Sequence, residues 1–505
     1  MRNADDAPVM NDELEGRGIL DLSIAAGRWQ LTNTIVQQLF VLGTFLALAR
    51  ILPPREFGIA SLILLVPTFI DGITTFNLDT SALQKKEAMG RYLNVLWTFN
   101  ILRVVSIFVL TLALAPFLAR YFKIEEAQTA LYFAGAVVLM QGLVNIGQNY
   151  FFLHFDFRRI FLRDTITKAT YAIFSIALAL IYHSYWALFL GNILSTACMA
   201  FSTYFLHSYR PRFDFRFRML DDLRHFGQWL YAQDVLQQIE RSVGDALIGR
   251  FASAAELGVF TKAKSLAQAP SSAMVSAINK VSFTSYIHVR DSRPHIIEGI
   301  NKTFDILSFV SIPYIVAIWL TGTRIVLVVL GPGWIALAPY LKILVVMATF
   351  NALAVTLATA VFNGIGKPKI QSLVTSVYTV VAIAGYVLLI PPYGARGAAY
   401  ALLSAVLSAT CVTGYYLIME VGINVRRILS TALVVAIASA APVPLALSLL
   451  SHPFFNATSG YILLVALSGL IYAGIIVLAG ILFKKGPYDT LLLLARSVVR
   501  AVRPV

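Results

Sequence analysis

Long apolar stretches separated by short polar ones recur along the whole chain. Fourteen spans are predicted, near 29–49, 57–79, 93–118, 128–153, 164–183, 185–207, 226–249, 257–283, 303–322, 336–362, 370–390, 397–419, 428–450 and 460–483. Each can cross a hydrocarbon core of about 30 Å as a helix. A helix meets every backbone polar group within its own segment, which a chain surrounded by lipid requires. The pattern therefore predicts an all-α integral membrane protein of about 14 transmembrane helices.

The loops orient the spans. Those after even-numbered spans carry Lys85, Lys86, Arg91, Arg158, Arg159, Arg163, Arg210, Arg212, Arg216, Arg218, Arg224, Arg290, Arg293, Lys367, Lys369, Arg426 and Arg427. Those after odd-numbered spans carry only Arg50, Arg55, Arg120, Lys123, Arg250, Arg324 and Arg396. Basic residues gather on the cytoplasmic side, so both termini and the even loops are expected there. A single miscounted span would scramble the alternation.

Within this pattern one stretch occurs twice. Residues 27–58 and 227–258 align without a gap at an offset of 200. Identities fall at Gly27/Gly227, Trp29/Trp229, Gln37/Gln237, Gln38/Gln238, Arg50/Arg250, Glu56/Glu256 and Gly58/Gly258. Chance likeness of two apolar helices is one explanation, and a duplicated membrane unit is the other. Spans 1 and 7 lie six crossings apart, so the copies run in the same direction, as in parallel repeats flanking a substrate path. The expected organisation is a disordered tail (1–26), an N-terminal six-helix lobe (27–207), a basic connector (208–225) and a second, pseudo-symmetric six-helix lobe (226–419). Two additional helices and a basic tail (420–505) follow. Residues 1–26 are polar and acidic, unlike a signal peptide, which needs a basic start and a compact apolar core.

Composition agrees with the membrane reading: 58% of residues are hydrophobic and 13% charged, against about 25% charged in a soluble domain. The net charge of +14 sits in short loops and reflects topology, so no nucleic-acid partner is implied. Cys198 and Cys411 lie inside apolar spans and suggest neither a disulfide framework nor a metal site.

Charged groups at bilayer depth are costly and usually face a cavity or a partner. Span 7 is the richest. Asp234, Gln238, Arg241 and Asp245 share one helix face, whereas the first copy has Thr34, Gln38, Val41 and Phe45. An Arg241–Asp245 ion pair one turn apart could simply join helices, or the face could wall a hydrated cavity. Glu240 lies on a different face and could pair with another helix. Span 8 carries Lys264 and Gln268 on one stripe, span 4 carries Gln141 and Asn145, span 2 carries Asp71 and Asp79, and span 3 carries Arg103. The cations suit an anionic ligand such as a phosphate. Arg103, Gln141, Asn145, Arg241, Lys264 and Gln268 are therefore candidates for a substrate cavity. The carboxylates Asp71, Asp79, Asp234 and Asp245 are candidates for H⁺ or Na⁺ coupling. Pro67, Pro270 and Pro313 fall inside spans and permit bending.

The chain has no P-loop, HExxH, CxxC pair or GxSxG motif. Neither a catalytic set, a metal site nor a cofactor is expected.

Several segments together resemble polysaccharide transporters of the Wzx type. They are LARILPPREFG (48–58) with the span that follows it, LNVLWTFNILR (93–103), LHFDFRR (153–159), ELGVFTKAKSLAQAP (256–270), VLGPGWIALAPYLKIL (329–344), FNGIGKPK (362–369) and YGARGAAYA (393–401). The resemblance covers nearly all of residues 27–420. Asn77 departs from it, standing where the family usually has glycine. It implies membership of the multidrug/oligosaccharidyl-lipid/polysaccharide exporter superfamily, with two lobes around a central cavity. It further implies a secondary-active flippase in the bacterial inner membrane. The cargo would be polyprenyl-diphosphate-linked oligosaccharide for exopolysaccharide, capsule or O-antigen (lipopolysaccharide) synthesis, with basic cavity residues meeting the diphosphate. A polysaccharide polymerase and a chain-length regulator would be the partners. A cation-coupled multidrug exporter and a membrane polysaccharide polymerase are the competing classes. The first suits an apolar cavity with one acidic centre. The second needs a charged outward loop that this chain lacks.

Overall fold

A computed structural model describes residues 19–76, 78, 89–153, 156–270, 292–440 and 472. Among these residues every regular element is a helix, with no strand. The helices are α1 (Ile19–Ile51), α2 (Pro54–Thr74), α3 (Met89–Tyr121), α4 in two pieces (Glu125–Gly142 and Ile146–Leu153), α5 (Phe157–Tyr182), α6 (Trp186–Leu206) and α7 (Asp221–Phe251). They continue as α8 (254–270), α9 (Arg293–Val329), α10 (Leu337–Gly364), α11 (Pro368–Tyr393), α12 (Ala395–Val421) and α13 (Val425–Ala440). The first thirteen expected spans each fall on one of these helices. The fourteenth, 460–483, lies outside the described residues apart from Tyr472. Nine of the described helices are long and apolar enough to cross a membrane, and the bent α4 makes a tenth. The chain is an all-α, multi-pass membrane protein.

Local chemistry accounts for the helix ends. Proline opens α2 and α11, where its missing N–H costs nothing. Asp156 caps α5 by accepting the Arg159 N–H at 3.2 Å. Gly394, at φ +58°, turns the chain from α11 into α12, a backbone state that side chains disfavour.

The two pieces of α4 meet at 53°. Asn145 occupies the break and is fully buried. Its side-chain oxygen accepts the Gly147 N–H at 2.9 Å, and its amide donates to the Tyr209 carbonyl at 2.6 Å. Its own backbone N–H donates to Thr203 Oγ1 at 3.0 Å. An interrupted helix frees backbone groups that lipid cannot satisfy, so these bonds are what permit the break.

The chain forms two compact units: residues 1–51 with 63–235, and residues 52–62 with 236–505. In the first, α5 packs along α6 and α1, and α3 along α4. Inside it a polar chain runs from Gln148 through Arg163 and Asp164 to Asn33 and Gln37, with links of 2.6–3.1 Å. In the second, α11 packs along α12, and α9 packs on α10 and α13.

The start of α2 belongs to the second unit, where it crosses the start of α8. A Cβ on Gly58 would lie 1.6 Å from the Ala254 carbonyl oxygen, and one on Gly258 would lie 2.0 Å from the Pro54 oxygen. Positions 54 and 254 correspond under the repeat, so the contact is reciprocal. Its two central residues are the last identity of the duplicated stretch. Backbones approach this closely only where both residues lack a side chain.

Three further repeat residues have visible work. Glu256 accepts the Ala395 N–H at 3.1 Å, placing a carboxylate at the start of α12. Gln37 and Gln237 each bond to a polar neighbour one turn away.

Gly58→Ala and Gly258→Ala should each destabilise the protein by at least about 1–3 kcal/mol, the usual cost of overpacking. Thermal unfolding of the detergent-solubilised protein checks this. Substitution at Gly43, whose Cβ would meet nothing within 4 Å, serves as the neutral control.

Candidate functional site

In the first unit the intramembrane arginine is tied to α2. Arg103 of α3 donates to Asp71 Oδ1 at 2.7 Å, to the Asp71 carbonyl at 3.2 Å and to Thr74 Oγ1 at 3.0 Å. Its other terminal nitrogen reaches Asn100 Oδ1 at 2.8 Å. Two residues assigned on sequence to different tasks, cargo and ion, thus form one half-buried ion pair. Pairing and multiple hydrogen bonds are what make an arginine tolerable at this depth.

The pair borders a groove of about 810 Å³ walled by α2 and α3 and closed by Phe217 and Leu220. Its walls are otherwise apolar, apart from Thr74 and Ser106, whose hydroxyls donate to carbonyls of their own helices at 2.6 and 2.9 Å.

The remaining candidates of this unit are separated by burial. Gln141 is exposed on α4, whereas Asn145 is buried at the helix break and its side chain is engaged there. Asp79 lies outside the described residues.

The second unit carries the denser cluster. Glu240 of α7 is only 5% exposed, and its carboxylate accepts the Tyr386 hydroxyl of α11 at 2.6 Å. Tyr378, two turns earlier on α11, lies within the field of Glu240 and Arg241. Arg241 is exposed and donates to Gln237 at 3.3 Å. The cation whose field reaches Asp245 is Lys264 of α8. Charged groups of α7 and α8 and two tyrosines of α11 are thus neighbours. Asp234 is exposed and Gln268 half-buried, and both have polar or ionic partners.

Glu240 is the principal residue that sequence reading under-weighted, because helix periodicity sets it off the polar face of α7. Its signal was a carboxylate in an apolar span together with Tyr378 and Tyr386 at i and i+8 on another helix. Asp305, 1% exposed on α9 and 3.4 Å from Arg427, was also unforeseen. Arg427 had registered only as a topological charge.

The connector before α7 is extended over 207–216 and laid along α3. The Arg212 N–H and the Tyr209 hydroxyl both donate to Asn94 Oδ1, at 2.9 and 2.7 Å, and the Asp214 N–H donates to the buried Thr98 hydroxyl at 2.8 Å. Phe213 packs on Trp97 with ring centroids 5.2 Å apart. Burial pushes the Tyr209 hydroxyl up to about 12, whereas the Arg216 hydrogen bond holds the Asp214 carboxyl below its ordinary value.

Residues 47–339 match the family described as polysaccharide biosynthesis protein. The teichuronic acid biosynthesis protein TuaB of Bacillus subtilis is 22% identical over 65% of this chain and 69% of its own length. The lipopolysaccharide biosynthesis protein WzxC of Escherichia coli is 20% identical over 65% and 68%. Among solved structures, the lipid II flippase MurJ in an inward closed conformation superposes with a TM-score of 0.68 at 13% identity, over 90% of this chain and 98% of that one. An inward-facing multidrug resistance MATE transporter of the MOP superfamily gives 0.58 at 16%, over 78% and 98%. These likenesses establish a transporter fold. The matched region spans more than half of the sequence, and the chain belongs to the polysaccharide biosynthesis protein family, in keeping with the Wzx-type motifs it carries.

Proposed function

We propose that the protein is a secondary-active flippase for polyprenyl-diphosphate-linked oligosaccharide repeat units. It would move them from the cytoplasmic to the outer leaflet of a bacterial inner membrane during exopolysaccharide, capsule or O-antigen synthesis. The observation that supports this reading best is the surroundings of α7, where Glu240 accepts the Tyr386 hydroxyl of α11 and the charges of Glu240 and of Lys264 on α8 act on Asp245. Charges are kept at that depth at a free-energy cost that function commonly explains. The relatives' names point to cell-surface polysaccharide, and the solved flippase shares the fold.

The roles divide by chemistry. Arg241 and Lys264 meet the diphosphate, whose oxygens a guanidinium or ammonium can pair with. The carboxylates Asp71, Asp79, Asp234 and Asp245 exchange a proton or bind Na⁺ and so couple movement to an ion gradient, with no bound cofactor. The termini face the cytoplasm, as the loop charges require. The chain carries no reaction of its own, and a polymerase and a chain-length regulator act on the delivered cargo. The shared fold of multidrug exporters keeps a drug-exporting role as the second reading. The apolar groove beside Asp71 is the feature that favours it.

Deleting the gene should cause a lipid-linked oligosaccharide to accumulate facing the cytoplasm, detected by extraction and sugar analysis. Unchanged lipid-linked sugar together with new drug sensitivity would favour the second reading. Arg241→Ala should abolish polysaccharide export while leaving normal amounts of protein in the membrane. Loss of the protein itself would make Arg241 a packing residue. Cysteines placed at Gln141 and Gln268 should react with a water-soluble maleimide, and complete protection in every transport state would remove both from the cavity.

A further inference from the structure

We propose that the α2–α3 groove and the segment Arg212–Arg218 form one binding site for a single-chain lipid phosphate, with the chain in the groove and the phosphate on Arg218 and Arg212. The identity of this lipid as the carrier end of the cargo rests on the flippase reading.

The groove is shaped for hydrocarbon. It follows α3 from Phe99 to Leu110, about 16 Å at 1.5 Å per residue, so it is long rather than round. Its volume of about 810 Å³ lies within the range of small-molecule sites. Ile70, Phe76, Leu102 and Ile107 supply its walls. Its polar atoms are already occupied. Arg103 has both terminal nitrogens bonded, and the Thr74 and Ser106 hydroxyls donate to their own helices. A ligand seeking hydrogen bonds finds little there, and an apolar chain loses nothing.

The phosphate end is set by the wall that closes the groove. Phe217 and Leu220 face into it, and Arg218 stands exposed between them in sequence. Arg216 is neutralised by Asp214 at 2.6 Å. Arg212 and Arg218 have exposed side chains with no carboxylate partner among the described residues. Phe213 and Phe215 alternate with these arginines and are 62% and 63% exposed. Aromatic rings interleaved with arginines are the chemistry of the membrane interface, where rings enter the lipid boundary and guanidiniums meet phosphate. The segment is held in place by its bonds to Asn94 and Thr98, so the arginines are presented from a fixed backbone. A guanidinium donates in a fork that suits a phosphate or diphosphate.

The test uses the full-length protein in detergent with three probes: a polyprenyl monophosphate, dioleoyl phosphatidylglycerol and inorganic diphosphate. Binding is read by native mass spectrometry and by the fluorescence of Trp97, which touches Phe213. Polyprenyl monophosphate should bind, and Arg212→Gln with Arg218→Gln together should weaken it at least tenfold. Leu102→Trp, which fills the groove, should abolish binding with an unchanged melting temperature. Equal competition by phosphatidylglycerol would reduce the site to ordinary lipid contact, and competition by inorganic diphosphate alone would remove the chain from it. Either result overturns the proposal, as does unaltered binding in the double variant. Intact export by a double variant that no longer binds would also overturn it while leaving the flippase reading standing. The absence of accumulated lipid-linked sugar in the deletion strain would overturn that reading whatever the lipid binds.

Discussion

The crossing of α2 and α8 at Gly58 and Gly258 is the contact on which the arrangement of this chain depends. Backbone meets backbone there, with Pro54 and Ala254 on the reciprocal sides, and no side chain larger than hydrogen fits between. Water is not expelled when helices meet in lipid, so association relies on such close packing and on hydrogen bonds. The crossing also gives the repeat a physical meaning. The duplicated stretch ends at the residue where its two copies touch. The same helix carries this contact near its start and Asp71 near its end.

A second rule governs the charges. Several groups within the membrane-spanning helices are held by partners whose donors or acceptors they use up. Arg103 has Asp71, Thr74 and Asn100; Glu240 has Tyr386; Asp305 has Arg427. Desolvated ions cost several kcal/mol each unless so compensated, so these bonds are a condition of folding as well as of any transport step. Arg241 differs in standing exposed with only a long bond to Gln237.

The break in α4 and the extended connector belong to one design. Asn145 satisfies the interrupted backbone by accepting the Gly147 N–H, its amide donates to the Tyr209 carbonyl, and the Tyr209 hydroxyl donates to Asn94. The break in α4, the connector and the start of α3 are thereby joined by consecutive hydrogen bonds. The connector is consequently a fitted strap along α3. Arg212, Arg216 and Arg218 stand exposed on it, while Phe213 packs on Trp97 and Phe217 faces the groove.

Much of the fold was legible in the sequence, because in lipid the helix is the structure that satisfies its own backbone, and length and hydropathy then locate it. Thirteen spans, the direction of the repeat and the polar richness of α7 followed from that one constraint. The candidate site was legible as a set of costly residues but not as partnerships. Helix periodicity placed Asp234, Arg241 and Asp245 on one face and so suggested an Arg241–Asp245 pair, yet the cation reaching Asp245 comes from α8 as Lys264. It put Glu240 on another face, open to a partner on another helix, but could not name Tyr386, 146 residues away. It gave Asn145 a place on a polar stripe, yet the bend of α4 turned that side chain to capping. By itself the sequence determined which segments lie in the membrane and which residues are expensive there, since both depend on local composition. Only the tertiary structure decided which expensive residues meet, because a pair is made by side chains from helices far apart in the chain, and periodicity within one helix carries no information about the other.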